Sequence, residues 1–91
     1  MIEKVQIPAD VSLEVNRAFY EYNAALNISG YLMSRPGVQI ELLQQYLDAT
    51  EMKYATLEML KEKAVRQYPP TKPWTTYEFN FDTFEIYYEV Q

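Results

Sequence analysis

The sequence predicts an α+β fold: a long antiparallel two-helix hairpin with a small antiparallel sheet. Three observations carry this. Residues 74–90, WTTYEFNFDTFEIYYEV, alternate apolar and polar side chains with a period of two. Residues 11–67 hold two runs whose apolar positions recur at spacings of three and four. Arg35-Pro36-Gly37-Val38 separates those runs with the residues of a tight turn.

Residues 2–7 (IEKVQI) read as a short strand that Pro8 stops, with Val5 and Ile7 on one face. Its expected partner is the C-terminal hairpin. The first helix is expected over 11–34, with Asp10 or Ser12 accepting hydrogen bonds from its first free N–H groups. Its seam is Val11, Val15, Ala18, Tyr22, Ala25, Ser29 and Leu32. Ala18, Ala25 and Ser29 are small and permit close approach of another helix. Phe19, Leu26 and Met33 widen the stripe at seven-residue intervals. Gly30 costs helix stability but lies off the seam.

So short a turn at 35–38 makes the two helices antiparallel neighbours. The second helix is expected over 39–67. Its seam is Ile40, Leu43, Leu47, Thr50, Tyr54, Leu57 and Ala64, flanked by Tyr46 and Leu60. Glu62 and Arg66 sit at i and i+4, and Lys61, Lys63 and Arg66 offset the helix dipole. Tyr68-Pro69-Pro70 ends the helix, and residues 69–73 form an extended connector.

Within the aromatic stretch the parity of the apolar residues flips. Tyr77, Phe79 and Phe81 are odd, whereas Phe84, Ile86, Tyr88 and Val90 are even. One straight strand cannot keep both sets on one face. Strands at 75–81 and 84–90 can, when a turn at Asp82-Thr83 pairs Phe81 with Phe84, Phe79 with Ile86, and Tyr77 with Tyr88. Thr resists the positive φ of a two-residue turn, so a four-residue loop is the alternative. A single bulged strand is the other. The opposite face then carries Thr76, Glu78, Asn80, Glu85, Tyr87 and Glu89.

Composition narrows the chemistry. The 91 residues suit one domain and include neither Cys nor His. That removes disulfides, thiol chemistry, the commonest general base and the commonest metal ligand. Lack of disulfides and of a signal-peptide pattern points to the cytoplasm. No run reaches transmembrane length, so no membrane span is expected. The net charge is −5. Residues 74–91 hold four carboxylates and no cation, and a nucleic-acid-binding face would be basic. Direct nucleic-acid binding is not expected.

No Gly-rich phosphate loop, nucleotide fingerprint or calcium loop is visible, and neither a cofactor nor a metal is expected. Glu78 and Glu85, as diagonal neighbours, have the chemistry of an acid–base pair, but no His, Arg or Gly-rich loop accompanies them. Pro70-Thr71-Lys72-Pro73 reads as a stiff linker rather than a recognition motif, and Asn27-Ile28-Ser29 as a chance match to a glycosylation sequon. Lys61, Lys63, Arg66 and Lys72 make a small basic patch that balances the dipole and the acidic hairpin.

The expected function is therefore a small non-catalytic accessory or adaptor protein that binds a protein or an extended peptide. Abundant Tyr, Met and other aromatics suit an interface. The partner surface is expected at Glu78, Glu85, Tyr87 and Glu89. A second candidate is the stripe Asn16, Tyr20, Asn23 and Asn27 on the first helix, opposite its seam. A homodimer through the helical seams is expected, because the stripes are wider than one pairwise contact uses. The alternative function is an acidic decoy that occludes a basic nucleic-acid-binding surface of a target protein.

Overall fold

A computed structural model describes residues 1–91. It is an α+β arrangement with the element order β1 (Ile2–Gln6), α1 (Ala9–Ser34), α2 (Ile40–Gln67), β2 (Trp74–Asn80) and β3 (Glu85–Val90). No helix is long and apolar enough to cross a membrane. The chain divides into two compact units, Met1–Asn16 with Leu60–Gln91, and Arg17–Met59.

The first unit holds the sheet. Its strand order is β1-β3-β2, all antiparallel, so the last strand lies between the other two. Tyr77 pairs with Tyr88 and Phe79 with Ile86, which is the register that the parity flip requires. One face of the sheet packs on the ends of the two helices. Ile7, Ile86, Tyr88 and Val90 form the core there with Ala64 and Val65 of α2. Val5, Val11, Tyr68, Tyr77, Phe79 and Phe84 pack around it. Tyr88 is wholly buried, and its hydroxyl donates to the Tyr68 carbonyl at 2.7 Å.

The turn differs from the two-residue form. Phe81–Phe84 make a four-residue loop, so Phe81 and Phe84 are not a ladder pair. Thr83 escapes the left-handed region, and Phe84 takes it instead, at φ 55°. That conformation is costly for a bulky residue. Three bonds hold it in place. The Phe84 carbonyl accepts from the Ile7 N–H at 2.9 Å and from Gln6 Nε2 at 3.0 Å, and Gln6 Nε2 also reaches the Thr83 carbonyl at 3.1 Å. A register shift between Trp74 and Thr76 puts one extra residue in β2. Trp74 thereby meets Tyr77 and Tyr88, with ring centroids 5.6 and 5.5 Å away.

The second unit is the distal part of the helical hairpin. Gly37, at φ 83°, supplies the positive φ of the turn. The seam is closed by small polar residues. Ser29 Oγ lies 2.8 Å from Thr50 Oγ1, and Thr50 Oγ1 is 3.3 Å from the Ala25 carbonyl of the facing helix and 2.8 Å from its own Tyr46 carbonyl. Ala18 and Leu57 are buried on the same seam. Glu21 and Lys53 form an exposed ion pair at 3.2 Å on one side, and the Tyr22 and Tyr54 rings meet at 5.3 Å.

The strands each shift by one residue at one end or both, and two helix starts and two seam positions also depart from expectation. The helix α1 starts at Ala9, with the Pro8 carbonyl taking the Ser12 N–H at 3.1 Å. Ser12 is therefore buried inside the first turns rather than capping them, and Asp10 adds a favourable charge near the N-terminal dipole. In α2 the Gln39 carbonyl takes the first bond, from Leu43. Ile40 and Tyr54 are exposed, because Ile40 lies at the first turn and Tyr54 at the margin of the seam.

Leu57, 4% exposed, is the better core position, and Leu43 is only half-buried. Leu57→Ala should cost about 2–4 kcal/mol and Leu43→Ala clearly less, measured by urea unfolding. Asn23→Ala should lie within about 0.5 kcal/mol of the parent.

Burial, with smaller contributions from Tyr77 and Glu3, pushes the Tyr88 phenol up to about 12 from 10.0. The folded chain keeps this proton at a pH where the unfolded chain releases it. The resulting stability is complete below about pH 10 and is lost as pH rises to about 12. Tyr88→Phe should be less stable than the parent near pH 8, because the Tyr68 carbonyl loses its donor. The gap should narrow when unfolding is repeated near pH 11.5.

Candidate functional site

The outer face of the sheet, in the first unit, collects the side chains of the opposite parity. The registers set them in three rows of three. Ile2, Glu89 and Thr76 form one row, Lys4, Tyr87 and Glu78 the second, and Gln6, Glu85 and Asn80 the third. The four residues expected to bind a partner, Glu78, Glu85, Tyr87 and Glu89, are thus brought onto one surface.

Tyr87 is its centre. Lys4 Nζ lies 5.2 Å from the Tyr87 ring centroid, a cation–π contact. The Tyr87 hydroxyl accepts from Asn80 Nδ2 at 2.9 Å. Asn80 Oδ1 in turn accepts the N–H groups of Asp82 and Thr83, at 3.0 and 3.2 Å. One amide therefore ties the loop after β2 to the central residue of the face. Glu89 Oε1 accepts from the Met1 ammonium at 2.9 Å. A shallow depression runs between Ile2, Thr76, Tyr77, Glu78, Tyr87 and Glu89.

Beside this face lies an open edge. The strand β2 pairs on one side only, and all seven of its residues are exposed or half-buried. An edge strand offers unpaired N–H and C=O groups to an added strand. The other edge belongs to β1, where Thr71 of the connector donates both its N–H and its hydroxyl to the Glu3 carboxylate, each at 2.8 Å.

Chemically, this surface offers carboxylates, an aromatic ring, an amide and a strand edge. Glu78 and Glu85 are diagonal, as the alternation implies, and Glu78 stands opposite Tyr87 rather than opposite a nucleophile or base. No group of three or more His, Cys, Asp or Glu residues is placed to hold a metal ion.

The helical stripe is not gathered in the same way. Asn16 is half-buried in the first unit, whereas Tyr20, Asn23 and Asn27 belong to the second, with Asn23 half-buried. Ile2, Lys4 and Gln6 are the members of the sheet face that sequence reasoning missed. The signal was present in the parity of IEKVQI, whose even positions oppose Val5 and Ile7. The basic residues divide as well. Lys61 lies over the Tyr77 ring at 5.7 Å, and Arg66 pairs with Glu62 at 3.6 Å.

Compared with protein-family models, with curated proteins and with solved structures, the chain matches none significantly.

The double use of Asn80 makes a graded prediction. Asn80→Ala removes the turn acceptor and the Tyr87 donor, and should lower stability by about 1–2 kcal/mol. Asn80→Asp keeps the acceptor only and should fall between the parent and the alanine variant in thermal unfolding.

Proposed function

We propose that this chain is a small non-catalytic adaptor that takes an extended protein segment as an added strand on the open edge of β2. The observation that carries the reading is the adjacency of that edge to a face bearing Glu78, Glu85 and Glu89. Main-chain hydrogen bonds along an edge supply affinity without regard to sequence, and side-chain charge next to it supplies preference. Three carboxylates against Lys4 and the Met1 ammonium leave the face net acidic, which favours a segment with basic residues at alternate positions. An acidic decoy for a nucleic-acid-binding surface would be better served by a cation-free face. Here Lys4 stands in the middle row, over the ring of Tyr87.

The single tryptophan, Trp74, opens the edge strand and is partly exposed, so its emission can report docking. Titration with an alternating Lys/Val peptide should shift that emission, and a Glu/Val peptide of the same length should not. Added salt should weaken the effect. Glu78→Lys with Glu89→Lys should abolish the preference while leaving the far-UV spectrum unchanged. Equal responses to both peptides, or an unaltered preference in the double variant, would remove the reading.

A further inference from the structure

The helical hairpin carries a second surface, in the Arg17–Met59 unit, that neither the sheet face nor its edge uses. Phe19, Leu26 and Met33 recur every seven residues on α1, and Ile40, Leu47 and Tyr54 every seven residues on α2. All but the half-buried Leu47 are exposed, Met33 at 64% and Ile40 at 79%. Both rows flank the seam in the same rotational sense. The Tyr22–Tyr54 ring contact lies towards this side, and the Glu21–Lys53 ion pair marks the other. We infer that this face is where a second copy of the chain docks, helix pair on helix pair, to form a four-helix arrangement.

Three observations select that occupant. First, a seven-residue apolar repeat is the pattern with which helices pack against helices at about 20°. The seams facing inward are already closed by Ser29, Thr50 and their carbonyl partners. The flanking rows are what remains for a neighbour, and a second copy presents the same spacing to them.

Second, the charge distribution suits self-association over the distal part of this face, which holds Leu26, Met33, Ile40 and Leu47. Residues 22–47 contain two charged side chains, Arg35 and Glu41, of opposite sign. The whole net charge of −5 therefore lies outside this span. Two acidic chains meet at lowest electrostatic cost where neither carries net charge. In a two-fold interface each patch meets its own copy, so a neutral patch forces no like charges together. A strongly basic partner would gain nothing from this surface.

Third, Gly30 lies one turn after Leu26 on α1, about 40° outside it in helical projection, on the margin of the face away from the seam. A Cβ there would meet nothing within 4 Å. The chain's own packing therefore does not call for glycine, although glycine destabilises a helix relative to alanine. Close approach of a neighbouring helix does call for it.

This inference is independent of the strand-edge reading, and its test keeps the two apart. Sedimentation equilibrium of the full chain at tens of micromolar should give twice the 10.8 kDa chain mass. Met33→Glu with Ile40→Glu changes two well-exposed positions and should leave the helical far-UV signal intact. It should weaken association at least tenfold, without altering the Trp74 peptide titration. Ile28→Glu with Met52→Glu, exposed but outside this face, should leave the dimer unchanged. A parent that sediments as a monomer throughout would overturn the inference. So would a Met33/Ile40 double variant that remains as dimeric as the parent, or an equal loss in the Ile28/Met52 control.

Discussion

The sheet depends on β3 lying between two partners. Its inner residues, Ile86, Tyr88 and Val90, are buried only because β1 covers one flank, β2 the other, and the helix ends the face. Tyr88 concentrates that dependence. Its ring is in contact with Trp74 and Tyr77, and its hydroxyl closes on the last carbonyl region of α2. A buried phenol is tolerated because it has an acceptor, and the apolar body of the ring fills the space between strands and helix. The same placement explains the cost carried at Phe84. The chain must reverse over four residues to return β3 between its partners, and the left-handed residue is held by bonds from Gln6 and Ile7.

The molecule separates its two kinds of exposed surface along the chain. Carboxylates and hydrogen-bonding groups collect on the outer face of the sheet, whereas the middle of the helical hairpin is almost uncharged and rich in exposed apolar residues. The two surfaces favour different chemistry. Charged rows next to a strand edge select by sign and by backbone pairing, and are sensitive to salt. A neutral heptad face selects by shape and by apolar area.

Much of this was legible in the residues. The parity flip around Asp82 determined the pairing of Tyr77 with Tyr88, because any other register would have turned aromatic rings to solvent. The small seam residues Ala18, Ala25 and Ser29 announced a close helix contact; Ala18 is buried, and Ser29 and the Ala25 carbonyl meet Thr50 of the facing helix. The turn itself was less legible. Which residue accepts positive φ depends on Gln6 and Ile7, some 77 residues away, and no local rule reports that. The bulge beside Trp74 was hidden for a similar reason, since alternation alone does not show an added residue at a strand's start. The sheet-face part of the candidate site was read from the hairpin only. Lys4 moderates its charge, and it entered through a strand whose outward positions had been left unread.

The pairing of β1 with β3 also has a kinetic meaning. Ile2 stands opposite Glu89, so the sheet joins segments that are almost the whole chain apart. Contacts of such sequence separation form slowly, because the intervening chain must be ordered before they reward it. The helical hairpin, closed by a short turn, needs no such search. During synthesis the helices can form while β1 has no partner, and the central position of its sheet is filled only once β3 has been made. Until then the apolar residues Val5 and Ile7 are a transient liability for aggregation, one that the order of elements along the chain builds in.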